Sequence, residues 1–522
     1  MNQLHRKMGW LVVAATLTST FTLTACDENM VADNPVIPAE QPVQSKNYTM
    51  MLTAAMGGFQ APNGAHTRAL SLEGKKLCAT WKKGDQIKVY VPDFEKMALA
   101  EGGTLTAQSD GETTTFVGTL QKQPTVGYGF LLANKGLTLD YRGQKGTLDD
   151  IAQNYDYAGF DLDGNQWTIE DNVIKPTVPV KFYNEQAIVR FTLQDKQGNP
   201  INASKLTISD LNQDGDSPKG YIKLKENEFE RIIEYGDLVI TPNAPTNEFW
   251  TAITYDNGTI YAELAAEVGP CTYYYQKENV KFKEGNYYAV TVKMNKRMVD
   301  LSKLTSDFVA QNGDSLTGTL SSNHKVSIAA GAKVILHDVT IGELDSKDQT
   351  WSALNCLGNA EITLSGSNTL NGGYSYAGLF IPQNSTLTIK GNGTLTAKGG
   401  DYSAGIGGEH GPGYVNYHIC GNIVIEGGTI TAYGGYQAAG IGGCSSSNNN
   451  GYITIKNTVT KVTAYKGDGE PSGTCIGFGY PGGCGTVTIG GVVYWDPTRE
   501  GNDKFQNGGE TYLQNSPLVY QP

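Results

Sequence analysis

Carboxylates, basic residues and tyrosines in the C-terminal part of the chain are the side chains whose chemistry has to be weighed first. Cleaving a polysaccharide requires two carboxylates across the scissile bond, a Ca²⁺ site built from several, or a basic residue that takes a proton beside an acidic sugar. Beyond Leu301 the aspartates are Asp307, Asp314, Asp338, Asp345, Asp348, Asp401, Asp468, Asp496 and Asp503. None forms an Asp-Asp or Asp-x-Asp pair, and the stretch holds a single arginine, Arg499. Catalysis is therefore not expected, and no catalytic residue is assigned. No Cys-x-x-Cys pair, zinc motif, phosphate loop or nucleophile elbow occurs, and His410 and His418 lie near Cys420 without a metal-site spacing, so neither metal nor cofactor is expected.

Aromatic residues are better placed. Tyr374, Tyr376, Tyr402 and Tyr436 stand just before successive glycine loops. Tyrosines at equivalent points of neighbouring turns could form a ladder on which sugar rings stack, with the hydroxyls hydrogen-bonding outward. Tyr376, Tyr402 and Tyr436 are the candidate ligand-binding residues. The plain alternative for any one of them is an edge tyrosine that covers backbone at a corner.

Repeating elements position these rings. Leu387-Thr-Ile-Lys390 returns as Ile423-Val-Ile-Glu426, Ile453-Thr-Ile-Lys456 and Val487-Thr-Ile-Gly490, at spacings of 36, 30 and 34 residues. Ala404-Gly-Ile-Gly-Gly408 returns as Ala439-Gly-Ile-Gly-Gly443 and, altered, as Cys475-Ile-Gly-Phe-Gly479. Short β-type runs at such a period mean a stack of similar turns, each burying its apolar face on its neighbours. Strand, glycine corner, strand and glycine loop are the parts of a parallel β-helix, with inward Ile, Leu and Val stacked rung on rung. About six to eight turns are expected; a β-propeller is the alternative.

The N-terminus reads as an address. His5-Arg6-Lys7, an apolar stretch from Met8 to Phe21 and Leu23-Thr-Ala-Cys26 follow in order. Leu-x-Ala-Cys resembles the lipobox of bacterial lipoproteins, which implies cleavage before Cys26 and lipidation of its thiol and new amine. Asp27-Glu28 resemble the acidic export signals of surface lipoproteins in Bacteroidetes. Residues 27–46 are polar and acidic with Pro35, Pro38 and Pro42, which suits a flexible tether. A net charge of −12 and a pI near 5.1 argue against nucleic acid and anionic lipid surfaces. With Cys26 taken by lipid, the other seven of the eight cysteines are too irregularly spaced for a disulfide framework, and most read as buried small hydrophobes.

Between Tyr48 and about Met298, short strands alternate with turn residues, as β-sandwiches require. Thr67-Arg-Ala-Leu-Ser-Leu-Glu-Gly74, Ala79-Thr-Trp-Lys-Lys-Gly-Asp85 and Ile87-Lys-Val-Tyr90 resemble the N-terminal domain of the fimbrillin family of Bacteroidetes. Ala187-Ile-Val-Arg-Phe-Thr-Leu193, Asp195-Lys-Gln-Gly-Asn-Pro200 and Leu206-Thr-Ile208 resemble the start of its second domain, and Phe282-Lys-Glu-Gly-Asn-Tyr-Tyr-Ala-Val-Thr-Val292 its closing strand. The resemblance covers roughly residues 46–298. It implies two β-sandwich domains in a lipid-anchored pilus precursor or related surface lipoprotein. In polymerising members, cleavage after an arginine in the loop behind the first strand removes that strand, and another subunit donates one in its place. Arg68 stands where that arginine would be; an ordinary exposed loop arginine is the alternative. Here a long segment follows Arg297, unlike in polymerising subunits, which favours a tip subunit or a non-polymerising lipoprotein.

The expected chain is thus all-β: signal peptide 1–25, tether 26–46, two Greek-key sandwiches at 47–176 and 177–298, and a parallel β-helix at 299–522. Its expected role is a surface adhesin at the outer membrane or on a fimbria, with other pilus subunits and a glycan or host or microbial surface as partners. Glycan capture without a pilus is the second expectation, and a β-helix lyase or hydrolase the third.

Overall fold

The computed structural model describes residues 47–522, apart from 57–70 and shorter stretches at 74–75, 79, 94, 96–97, 123–126, 212–218, 225–230, 255–258, 322, 345, 412–417 and 449. Cys26 and Arg68 lie outside the described residues. Strands dominate throughout, and the chain divides into two compact units: the described residues up to Ala266 with Tyr275–Met294, and Glu267–Tyr274 with Asn295–Pro522.

In the first unit the opening strand Tyr48–Met56 alternates, with Tyr48, Met50, Leu52 and Ala54 buried and Met51 exposed. That period of two seats it inside a nine-stranded sheet. One edge runs antiparallel to Thr113–Leu120, from Tyr48 opposite Leu120 to Ala55 opposite Thr113. The other edge runs parallel first to Val173–Pro176 and then to Val180–Asn184. Beneath the strand, Trp81 meets Phe116 and Phe182 edge-on, with centroids 4.7 and 5.5 Å away.

A second sheet sets Ala187–Gln194 between Glu248–Ile253 and Tyr287–Lys293. The pairing carries the first sheet past the division expected at 176/177: Val180–Asn184 still belongs to it, and the chain changes sheets before Ala187. Pro176 and Pro179 signal a turn, but the turn only shifts the chain to its next partner along the opening strand. Buried Gln144 ties the 138–150 stretch to the second sheet, pairing with both backbone groups of Ala252 at 2.8 Å.

In the second unit the repeat becomes three columns of parallel strands. The first includes Ala360–Ser365, Thr386–Gly391, Asn422–Ile425 and Ile453–Ile455, each paired with the next. In register, Val334, Ile362, Ile389, Ile425, Ile455 and Ile489 form one buried file. The second column includes Ser367–Asn371, Thr394–Lys398, Thr429–Tyr433 and Lys461–Tyr465. The third stacks Leu354, Leu379, Ile406, Ile441 and Ile476. The Ala-Gly-Ile-Gly-Gly block is explained by this last file: its Ile points inward, and a Cβ on Gly407 (φ +146°) would lie 1.8 Å from the carbonyl oxygen of Gly442. Outward positions carry ion pairs between rungs, such as Lys333–Glu361–Lys390 at 3.3 and 2.5 Å. At the far end Leu518–Tyr520 pairs antiparallel with Lys461–Tyr465, and Trp495 packs on Phe478 and Phe505 with centroids 4.8 Å apart. Cys271, Cys356, Cys420, Cys444, Cys475 and Cys484 are buried free thiols.

Candidate functional site

The corners that follow the second column build a groove. Asn371, Lys398 and Tyr433 pair in file, and each is followed by two glycines and then by Tyr374, Asp401 or Tyr436. The glycines are dictated by packing. A Cβ on Gly400 would meet the Gly373 oxygen at 2.0 Å, and one on Gly435 would meet the Gly400 oxygen at 2.0 Å. Consecutive corners therefore touch backbone to backbone, and no side chain rises from the floor. What remains is a cavity of about 690 Å³ walled by Lys398 and Tyr433 on one side and Tyr374, Asp401 and Tyr436 on the other, with Leu344 and Lys347 also contributing.

Ring geometry fixes the walls. Tyr433 stacks on Tyr465, centroids 4.5 Å apart and planes within 8°, and the Lys398 ammonium sits 5.5 Å from the Tyr433 ring centre. Burial, with the neighbouring Tyr465, raises the Tyr433 phenol above its usual range. Tyr374 and Tyr436 are 45% and 41% exposed, enough ring surface for a ligand to cover.

The three tyrosines singled out from sequence fall in different places. Tyr436 lines the groove. Tyr402 stands behind it, half-buried, edge-on to Tyr436 at 5.2 Å and tilted against His410 at 5.2 Å. Tyr376 is half-buried, and burial and the Glu409 charge push its phenol up. Lys398, Asp401 and Tyr433 join the site as the sequence reading did not foresee. The signal that could have found them is the recurring x-Gly-Gly-x string, since the residues flanking a bare corner must form its walls.

A second polar cluster resembles a catalytic relay only in its residue types. The Ser352 hydroxyl donates to Glu409 and accepts the Ala377 N–H at 3.0 Å, while His418 Nδ1 lies 2.9 Å from Glu409 Oε1. Histidine thus bonds the carboxylate rather than the serine, and Ser352 is 2% exposed. The group facing the hydroxyl is the Glu409 carboxylate, itself buried and shared with His418, and the hydrogen bonds of the cluster tie successive rungs together. Among the described residues no group of three or more His, Cys, Asp or Glu could hold a metal ion.

In the first unit a cavity of about 500 Å³ opens beside the first strand, lined by Met51, Thr53, Thr113, Pro176 and Val178 among others. It lies where the strand's parallel partner changes, so residues 51–53 have a ladder partner on one side only.

No family model and no curated protein matches the chain. Solved structures do. A proposed cell adhesion protein from Bacteroides uniformis is 14% identical, covering 49% of this chain and 95% of its own, with a TM-score of 0.28. A fimbrial assembly protein from Parabacteroides distasonis is 14% identical over 47% of this chain and 91% of its own, TM-score 0.27. The tip fimbrial protein Mfa3 from Porphyromonas gingivalis, with C-terminal truncation, is 13% identical over 46% of this chain and 83% of its own, TM-score 0.25. Likenesses at these scores carry no argument about fold or site. What the chain is similar to, among solved structures, is fimbrial and cell-adhesion proteins of Bacteroidetes.

Proposed function

We propose that the protein is a surface adhesin, lipid-anchored through Cys26, in which two fimbrillin-like sandwiches carry a parallel β-helix at 299–522 that presents the ligand-binding groove. The observation that carries this reading is the groove itself: exposed Tyr374 and Tyr436 over a bare glycine floor, two rungs apart on the same line of corners. Among the described residues Asp401 is the one carboxylate in its lining, where glycoside hydrolysis needs two, so the proposed role is binding without catalysis.

The opening strand supports assembly with other pilus subunits. It is interior to its sheet, and its buried side chains cover Trp81, Phe116 and Phe182. Cutting the chain after Arg68 would free Tyr48–Met56 to leave, exposing two unpaired strand edges and a row of apolar pockets. Such a slot takes a donor strand by β-augmentation. Leu518–Tyr520 is paired with Lys461–Tyr465, so it is not a free strand available for donation.

Recovery of partner subunits with the full-length lipoprotein, before and after treatment with an arginine-specific protease, tests the assembly. Recovery only after cleavage, abolished by Arg68→Ala, is the expected result. Unchanged assembly in Arg68→Ala with no subunit recovered would leave the second reading, a glycan-capturing surface lipoprotein without a pilus, which the same groove supports.

A further inference from the structure

The walls of the groove repeat with the rungs of the stack, and this limits what can lie in it. Rungs of a parallel ladder are about 4.8 Å apart. Tyr374, Asp401 and Tyr436 occupy three successive corners, so the two exposed tyrosines stand two rungs, roughly 10 Å, from one another along the stack. The long axis of the groove therefore crosses the strands, and its ligand must be narrow, extended and able to present an apolar face at every second unit.

A peptide strand does not suit this floor, because the corner N–H groups are already used. Gly399 donates to Tyr433, Gly400 to Tyr376, Gly434 to Tyr465 and Gly435 to Ser403, all at 2.8–2.9 Å. These four floor N–H groups are therefore not open to a strand added by β-augmentation. A polyanion does not suit it either. The lining holds Lys347 and Lys398 against Asp401, and the Lys398 ammonium is directed at the Tyr433 ring. What the walls offer is aromatic surface at intervals, with an ammonium, a carboxylate and phenol groups to exchange hydrogen bonds with hydroxyls.

We propose that this groove binds a neutral, extended, β-1,4-linked hexopyranose chain laid along the stack axis, with the same face of every second sugar on Tyr374 and Tyr436 and ring hydroxyls bonded to Asp401 and Lys347. The proposal rests on the reading of the second unit as the ligand-presenting one and gives its ligand a chemical class. A pyranose in its chair form carries axial C–H groups on its faces and most of its hydroxyls round the equatorial rim. In a β-linked ribbon the same face returns at every second ring, matching tyrosines two rungs apart.

Titration calorimetry of the full-length protein with cellohexaose, β-1,4-mannohexaose, maltohexaose and an oligogalacturonate hexamer tests the assignment. One of the two neutral β-linked hexaoses should bind. Its affinity should rise from disaccharide to tetrasaccharide and then level off, since the groove spans three corners. Tyr374→Ala and Tyr436→Ala should each weaken binding by about three- to ten-fold, while Tyr436→Phe keeps most of the affinity. Thermal melts should show that these surface variants stay folded. Failure of both neutral β-linked hexaoses to bind at millimolar concentration, tighter binding of maltohexaose or the galacturonate, or binding indifferent to both alanine variants would overturn the proposal. If the hexaoses fail while cells displaying the protein still adhere, the groove assignment falls and the adhesin reading stands; loss of both removes both.

Discussion

Glu409 shows how a buried carboxylate can be structural rather than reactive. It is 7% exposed and shared between Ser352 and His418. Its hydrogen bond to His418 holds that imidazole's pKa above the ordinary value, the charged form being favoured in the folded protein. A raised folded pKa contributes stability that is complete below the ordinary histidine value and disappears as pH climbs through the raised one. The melting-temperature gap between wild type and His418→Asn should accordingly be widest below the ordinary histidine pKa of about 6.5 and should narrow as pH rises through the raised value; a gap independent of pH would show that the ion pair contributes nothing. The corner glycines give a second prediction. Gly400→Ala would drive a Cβ into the Gly373 carbonyl and should abolish soluble folding, whereas Gly483, with nothing within 4 Å of the added carbon, should accept Ala with almost no change in melting temperature. Only part of this was legible in the sequence. Tyr436 could be placed on the groove by its position before a glycine loop, but Tyr402 and Tyr376 occur in the same kind of string and turn inward. Tyr402 and Tyr376 stand one and two residues beyond the positions that directly follow the Gly-Gly pairs, and Tyr402, with φ +62°, is the counterpart of Ser375 and Gln437, at +65° and +55°.

At the level of elements, the isoleucine files hold the stack together. Each member touches its counterparts one rung above and below, so the loss of one opens a cavity between two coils. Ile425→Ala should cost about 2–5 kcal/mol, read as a drop in denaturant midpoint. Thr431→Ala, on an outward row, should cost about 0.5 kcal/mol or less. Arg297 and Asp314, opposite each other in register, form a two-pronged ion pair whose aspartate is 2% exposed and also accepts the Gln311 N–H at 2.7 Å. Removing the guanidinium strands a buried charge, so Arg297→Ala should destabilise by about 3–5 kcal/mol, and Arg297→Lys should recover only part of that. The parallel ladders were legible because a period near thirty residues with alternating apolar positions survives any choice of loop. The sheet membership of Val180–Asn184 was not. Strand patterns show where strands are, but partners are set by tertiary pairing, and the Pro176–Pro179 turn resembles a domain boundary while acting as a partner change.

For the whole molecule, the proposed reading divides the work between holding and touching. The lipobox-like and tether-like stretches are expectations from sequence; under the proposed reading, the opening strand, interior to its sheet, is the one another subunit would replace. The resemblance that suggested this covers only the first half of the chain. The second half had to be read from its repeat, which constrains architecture far more tightly than it constrains the ligand. The central claim is that the protein is displayed to hold a surface through the tyrosine groove. It is tested most directly by measuring adherence to host epithelium and to co-resident bacteria for cells displaying equal amounts of wild-type protein or of the Tyr374→Ala/Tyr436→Ala double variant, alongside cells lacking the protein. Adherence with the wild type, falling to the level of the protein-free cells with the double variant, is the expected result. Wild-type cells that adhere no better than protein-free cells would contradict the account.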